Sequence, residues 1–523
     1  MNQRQNKIAF LSRDKTFIIR TTFGIGLFFF TAGFLIHFFA SQPDTSTREN
    51  PAPKTARDYA KLIRSIGDNW QNLNAIGPGL DPKILGSGGL PLPDLIAQTT
   101  LPGNQSDLLS RFLSALTTNR DAIDSFRTYF ESVHAENPTT PLAAGFAAYL
   151  HAIAGNNTQA LDLYIAEGAF PGASFERRAA ITIATKSKDR ATLETILPLP
   201  GFREEIPRHL EDQVAIITRD FSALLSNQFA HWFRVLHPGY FAVSLINGSI
   251  WLIIIFLTLA LKKRHLPIAF VSVAAGIFST AVTLALYSLQ NFYTGVALTG
   301  SLVDDAVYWI AGVGLREEFA KLLCFAVLIP FLRPFNSGAL AFACASFVGL
   351  GFAIEENNQY FNGTLSSAAL PRFLTANFLH LATTGIAGYH LYQLSFGFKR
   401  RWEPALGAFL FVVVLHGAYD FLPSTPLEIS REIGIASIFI IGILAFNHAK
   451  MTGQLRIHDR SHPVSPLAVF VFGTALILGL SFTTYIAGLH GEITFAQAVS
   501  GFGKASLSAI VVAFLFINRF RSA

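Results

Sequence analysis

The chain has 523 residues, of which 51% are hydrophobic, 49 are phenylalanine and only 14% are charged, with a net charge of +6. Mean hydropathy is +0.40. Soluble domains carry about 25% charged residues, so the composition excludes an ordinary soluble globular protein and points to a polytopic membrane protein. The positive balance does not call for nucleic acid, because basic residues collect in short loops between apolar runs, where membrane orientation places them. Cys324 and Cys344 both lie inside apolar runs, and without a CxxC they imply no disulfide framework.

Residues 1–20 form a basic tail (Arg4, Lys7, Arg13, Lys15 and Arg20 against Asp14), and "TTFGIGLFFFTAGFLIHFFA" at 21–40 is long enough to cross a bilayer. No A-x-A site precedes "SQPD", so the segment reads as an uncleaved anchor with its N-terminal side in the cytoplasm. Residues 41–237 are the only long polar stretch. A Pro/Thr/Ser-rich linker opens it, a Gly/Pro-rich segment follows near 77–105, and helical periodicity then sets in. "AAYLHAIAGNNTQALDLYIAEG" has an echo about 32 residues on, a period that suggests helical hairpins resembling tetratricopeptide repeats. An ordinary helical domain is the other reading.

From 238 onward apolar segments alternate with loops. Lys262, Lys263 and Arg264, then Arg333, then Lys399, Arg400 and Arg401, then Lys450 and Arg456, and finally Arg519 and Arg521 fall on one side. The intervening loops, "NGTLSSAALPR" and "LPSTPLEISR", carry few basic residues. The expected fold is all-α: a polytopic membrane bundle of about ten spanning helices with an inserted extracytoplasmic helical domain at 41–237. Both termini are expected in the cytoplasm, and the membrane is expected to be the bacterial inner membrane.

Ionisable residues gather on four consecutive spans. "GLREEFAKLLCF" carries Arg316, Glu317, Glu318 and Lys321, "FVGLGFAIEENNQYF" carries Glu355, Glu356 and Asn357, "FLHLATTG" carries His380 and Thr384, and "LHGAYD" carries His416 and Asp420. A charge at the centre of a spanning helix costs about 2.5–3.5 kcal/mol on insertion scales, so such residues mark function by default. At 1.5 Å per residue Glu317, His380 and His416 fall about 16, 12 and 9 Å from the outer ends of their helices. Glu317 and Lys321 are spaced i,i+4, as are His416 and Asp420, so each can pair along one face. Glu317 and Glu318 point about 100° apart around the helix and should play different parts. His390 and the pair Asp304 and Asp305 read as structural, and Glu355 stays undecided.

These residues form an ordered set: EExxK (Glu317 to Lys321), FxxxEN (Phe352, Glu356, Asn357), HxxxTG (His380, Thr384, Gly385) and HxxxD (His416, Asp420). The set resembles the PrsW family of intramembrane proteases and, more widely, the superfamily of CAAX prenyl proteases and bacteriocin-processing enzymes. It covers about 300–422. In the wider superfamily the second motif usually carries histidine, where this chain has Glu356. The resemblance implies a glutamate-dependent endopeptidase in which Glu317 activates water and Glu318 and Lys321 support it. His380 would assist the water or protonate the leaving amine, while His416 and Asp420 would stabilise the oxyanion. It also suggests a single-pass membrane protein as substrate, such as an anti-sigma factor, cut on its outer side.

The chemistry stands beside the family, since amide hydrolysis needs a base, a proton donor and an oxyanion stabiliser. No cofactor is expected. The alternative is a zinc site on Glu317, His380 and His416, a His2Glu set with an open position but without HExxH. A proton-coupled transporter is a further reading, against which no inverted repeat of hydropathy is visible, and a catalytically inactive scaffold is a third.

Overall fold

A computed structural model describes residues 3–40, 55–61, 63–64, 96, 101, 104–117, 123–294, 298–365, 367–396, 401–424, 430–455, 464–489 and 493–521. The linker at 41–54, nearly all of the Gly/Pro-rich stretch near 77–105 and the basic residues Lys399, Arg400 and Arg456 lie outside the described residues. Among those described, all regular structure is helical, as the apolar periodicity requires. A chain in hydrocarbon must satisfy its backbone hydrogen bonds within each segment. Among the described residues six helices are long and apolar enough to cross a membrane, Lys15–Phe39, Pro238–Thr258, Lys263–Thr294, Gly338–Thr364, Trp402–Pro423 and Pro466–Gly488, against the ten expected. Leu315–Leu332 is not among them, and it is the helix that carries Arg316, Glu317, Glu318 and Lys321.

The chain forms two compact units, Met1–Pro43 with Gln228–Ala523, and Asp44–Asn227. The helices of the first unit that matter here are α1 (Lys15–Ala40), α2 (Pro238–Thr258), α3 (Leu266–Thr294), α4 (Leu315–Leu332), α5 (Gly338–Thr364), α6 (Ala369–Leu374), α7 (Ala376–Phe396), α8 (Trp402–Ser424), α9 (Ser430–Leu455), α10 (Pro466–Gly488) and α11 (Phe495–Arg521). Helix α5 is the axis of the bundle, with 94% of its apolar window buried, and α2, α3 and α7 pack around it. Small residues allow that crowding. A Cβ on Gly349 would stand 2.0 Å from the His380 carbonyl oxygen of α7, and one on Gly351 2.0 Å from the Val273 carbonyl oxygen of α3. Trp251 of α2 fixes the other flank, its Nε1 donating to the Phe373 carbonyl at 2.7 Å. Helix α1 lies along α10, where Phe30 stacks on Phe482 at 6.0 Å.

The basic loops converge in space. The His265 ring meets Phe335 at 5.6 Å and the Arg333 guanidinium lies 5.5 Å from the Phe396 ring. The segments that carry Lys262 to Arg264, Arg333 and Phe396 therefore share one end of the bundle, and α5 carries the chain from that end to Thr364.

The second unit has its own core, in which Phe112, Phe130, Phe146 and Phe202 are fully buried. Helices Ala143–Ile153 and Asn157–Gly168 pack as a hairpin, followed by Ser174–Lys186 and Arg190–Ile196. The first helices of the two pairs begin 31 residues apart (143 and 174) and the second helices 33 (157 and 190), the spacing of the echo in the sequence. The likeness to tetratricopeptide repeats goes no further than that spacing. A buried ionic cluster ties the pairs together. Arg64 meets Glu176 at 2.6 Å with both side chains buried, and Arg57 meets Glu167 at 2.8 Å. Glu167 also accepts the Leu142 and Gly145 backbone N–H groups (2.9 and 3.3 Å) and so caps the helix that begins at Ala143. Removing one partner of a buried pair leaves an uncompensated charge. Arg64→Leu is therefore expected to destabilise this unit by about 3–5 kcal/mol, read as a lower denaturant midpoint for protection of 104–227 from proteolysis in the full chain.

Candidate active site

The cluster begins with an irregularity. Residues Tyr308–Gly314 form a π-helical stretch that runs directly into α4, and π-turns are rare and frequent at functional sites. The stretch packs against α8 through two glycines. A Cβ on Gly314 would lie 2.7 Å from the Val413 carbonyl oxygen, and one on Gly417 would lie 2.6 Å from the Trp309 carbonyl oxygen. Only side chains this small let α8 approach, and the approach sets His416 beside Glu317 and Glu318.

Glu318 is fully buried and has no unused face. Its Oε1 meets Lys321 Nζ at 3.0 Å and His416 Nδ1 at 2.7 Å and accepts from Thr383 Oγ1 at 3.1 Å, while Oε2 accepts from Thr384 Oγ1 at 3.3 Å. Four donors from three helices thus converge on one carboxylate. Glu317, one residue away, is different. Its side chain is 12% exposed, and its contacts are looser, Lys321 Nζ at 3.4 Å and His416 Nε2 at 3.5 Å. The adjacent glutamates thus differ in how fully their hydrogen-bonding capacity is used.

Lys321 is also fully buried. Its Nζ donates to His380 Nδ1 at 2.8 Å and sits 3.9 Å from the centre of the Phe352 ring, a cation–π contact that replaces water around the ammonium. With Nδ1 occupied as an acceptor, the His380 proton sits on Nε2 and donates to Glu356 Oε2 at 2.9 Å. Glu356 in turn meets Arg372 Nη2 at 2.5 Å, Arg372 Nε donates to Asn357 Oδ1 at 2.5 Å, and Asn357 donates to Asn377 at 2.6 Å. His416 Nε2 faces Asp420 at 3.3 Å as well as Glu317. Two cations, Lys321 and Arg372, therefore stand among four carboxylates, Glu317, Glu318, Glu356 and Asp420.

All ten site residues singled out in the sequence, Glu317, Glu318, Lys321, Phe352, Glu356, Asn357, His380, Thr384, His416 and Asp420, come together in this cluster. Glu355 is buried and pairs with Gln359 at 3.1 Å. His390 stands outside, against Tyr389, and Asp305 caps its loop by accepting from the Thr299 N–H at 2.8 Å. Arg316 joins neither glutamate and donates to Gln290. Sequence reasoning missed Arg372, Thr383 and Asn377. Arg372 had one legible signal, as a lone arginine in a loop otherwise free of basic residues, just ahead of the His380 helix. Thr383 and Asn377 had none, because a threonine or asparagine in a helix shows its role only through what faces it.

Glu317, His380 and His416 each offer one atom within 4.8 Å of the others, close enough to consider a shared metal ion. His416 suits such a role, with Nδ1 held by a carboxylate and Nε2 directed inward. His380 does not. To ligate through Nε2 it would need its proton on Nδ1, against the Lys321 ammonium at 2.8 Å, and to ligate through Nδ1 it would need Lys321 displaced. The side chains as they stand do not fit a metal at this position.

Residues 264–446 match the family model described as PrsW family intramembrane metalloprotease. No curated protein and no solved structure matches the chain. The matched segment contains α3 to α8 and every side chain of the cluster. This integral membrane protein therefore carries a protease domain of the PrsW family.

Proposed function

We propose that the protein is an intramembrane endopeptidase in which Glu317 is the general base and no metal takes part. The observation that carries this reading is the inequality of the two glutamates. Glu318 is saturated by four partners, whereas Glu317 is partly exposed with two long contacts and has lone pairs to spare. On this reading Glu317 takes a proton from water as the oxygen attacks the scissile carbonyl. His416, oriented by Glu318 and flanked by Asp420, directs Nε2–H toward the developing oxyanion, and Glu317 passes the proton it took from water to the leaving amine. His380 has both nitrogens engaged, by Lys321 and Glu356, so it acts by fixing the cluster rather than by donating to the amine. Glu356, whose part the family pattern left open, serves as the acceptor that sets the His380 tautomer.

The second reading, a zinc enzyme on Glu317, His380 and His416, is favoured by the closeness of the three side chains and by the word metalloprotease in the family description. It requires Lys321 to move. In either case the substrate is a membrane protein, such as a single-pass anti-sigma factor, and residues 41–237 are the part that would select it. Loop charges support an inner membrane with the basic end of the bundle in the cytoplasm. Glu356 and Asp420 lie toward the other ends of their helices, which supports cleavage near the outer face.

Glu317→Gln keeps the shape and removes the base, so cleavage should fall by about 10²- to 10⁴-fold at unchanged protein level. Comparative membrane proteomics of wild type and variant checks this through one accumulating uncut protein, and robust cleavage by the variant would remove Glu317 from its role. Elemental analysis of the active enzyme should find no stoichiometric zinc, and activity should survive chelators. One zinc per chain, lost and regained together with activity, would establish the second reading instead. A cysteine at exposed Gly363 should react with an impermeant thiol reagent in intact cells, while one at Arg333 should not, and the reverse pattern would invert the orientation.

A further inference from the structure

The side of α4 that faces away from the charged cluster carries a second feature. Arg316 precedes Glu317 and feels its charge but forms no ion pair with it or with another carboxylate among the described residues, because Glu317 turns to Lys321 and His416. Its Nη1 donates to Gln290 Oε1 at 2.8 Å, and its guanidinium lies 5.0 Å from the centre of the Tyr287 ring. Both neighbours are neutral, and Nε has no hydrogen-bond partner. A guanidinium in or beside hydrocarbon is costly unless an anion meets it. Arg316 borders an open groove of about 350 Å³ whose walls are the apolar side chains of Leu286, Ala311, Leu315 and Phe319.

The depth of this groove narrows the choice of anion. Tyr287 and Gln290 belong to the last two turns of α3, which ends at Thr294, so they lie within about 10 Å of its end at 1.5 Å per residue. Tyr308 and Trp309 stand in the adjoining π-helical stretch, and tyrosine and tryptophan mark the level where hydrocarbon gives way to headgroups. A phosphate suits an arginine fork, which can donate two parallel hydrogen bonds to it. The apolar walls suit the acyl chain below that phosphate.

We propose that this groove is a phospholipid site, with the lipid phosphodiester on Arg316 and an acyl chain along Leu286, Ala311, Leu315 and Phe319. It stands on the back of the helix that carries Glu317 and does not depend on how the cluster performs its chemistry.

The test uses the purified full chain in a neutral detergent, with phosphatidylglycerol added and protein-bound lipid counted by native mass spectrometry. Wild type should retain one phosphatidylglycerol, and Arg316→Gln should bind it about tenfold more weakly, the loss expected for one charge-assisted bidentate contact. Equal retention by the variant would overturn the proposal. Ala311→Trp keeps the arginine and fills the groove from an exposed position, so it should also expel the lipid, and full retention there would overturn the proposal even if Arg316→Gln did not fold. Excess inorganic phosphate should not displace the lipid, and displacement would show a soluble-anion site instead.

Discussion

The Glu318 carboxylate is the point on which the rest of the site depends. It lies in the apolar interior of a helix bundle, where an ionised carboxylate without partners is prohibitively costly. Its cost is offset by an ammonium, an imidazole and two hydroxyls, contributed by Lys321 of its own helix, His416 of α8 and Thr383 and Thr384 of α7. Satisfying that one group therefore fixes three helices against each other. A buried network of this kind is rigid when every member is satisfied, and rigidity is what a hydrolytic site needs to hold a base and a proton donor in register.

From Glu318 the constraint spreads in two directions. Through Lys321 it reaches His380, Glu356 and Arg372, a line of alternating donors and acceptors in which each proton position follows from its neighbour. Through His416 it reaches Glu317 and Asp420, where distances lengthen to 3.3–3.5 Å and exposure appears. The first branch is closed and the second is open. A group with all its hydrogen bonds made has nothing left for a substrate, which is the ground for proposing that the chemistry belongs to the open branch.

The backbone was shaped to permit this. Gly314 and Gly417 allow the π-helical stretch to touch α8, and Gly349 allows α5 to touch α7 at His380 itself. These are close approaches of main chain to main chain, the usual device of helices in membranes, where small residues rather than hydrophobic burial bring helices together. The π-helical stretch also ends at Gly314, so the glutamates follow the irregular segment at once.

The order of motifs along the chain was readable because charge in an apolar segment is conspicuous. Glu317, Glu318, Lys321, His380, His416 and Asp420 each stand out against leucine and phenylalanine, and the spacing of Glu317 with Lys321 and of His416 with Asp420 announced shared faces. The all-helical architecture followed from the length of the apolar runs. The count of ten spanning helices did not emerge in the same way, since six described helices meet the criterion of length and apolarity, and the helix with the motif fails it by virtue of the charges that make it recognisable. Sequence could not say that His416 would turn its Nδ1 to Glu318 rather than rely on Asp420 alone, nor that Lys321 would stand against His380 Nδ1. It could not single out Arg372, Thr383 or Asn377, which look ordinary until the partner across the bundle is known. Hydropathy and helical period are properties of one segment and are written locally. Which lone pair meets which proton depends on contacts between helices up to a hundred residues apart, and only the packed bundle determines those.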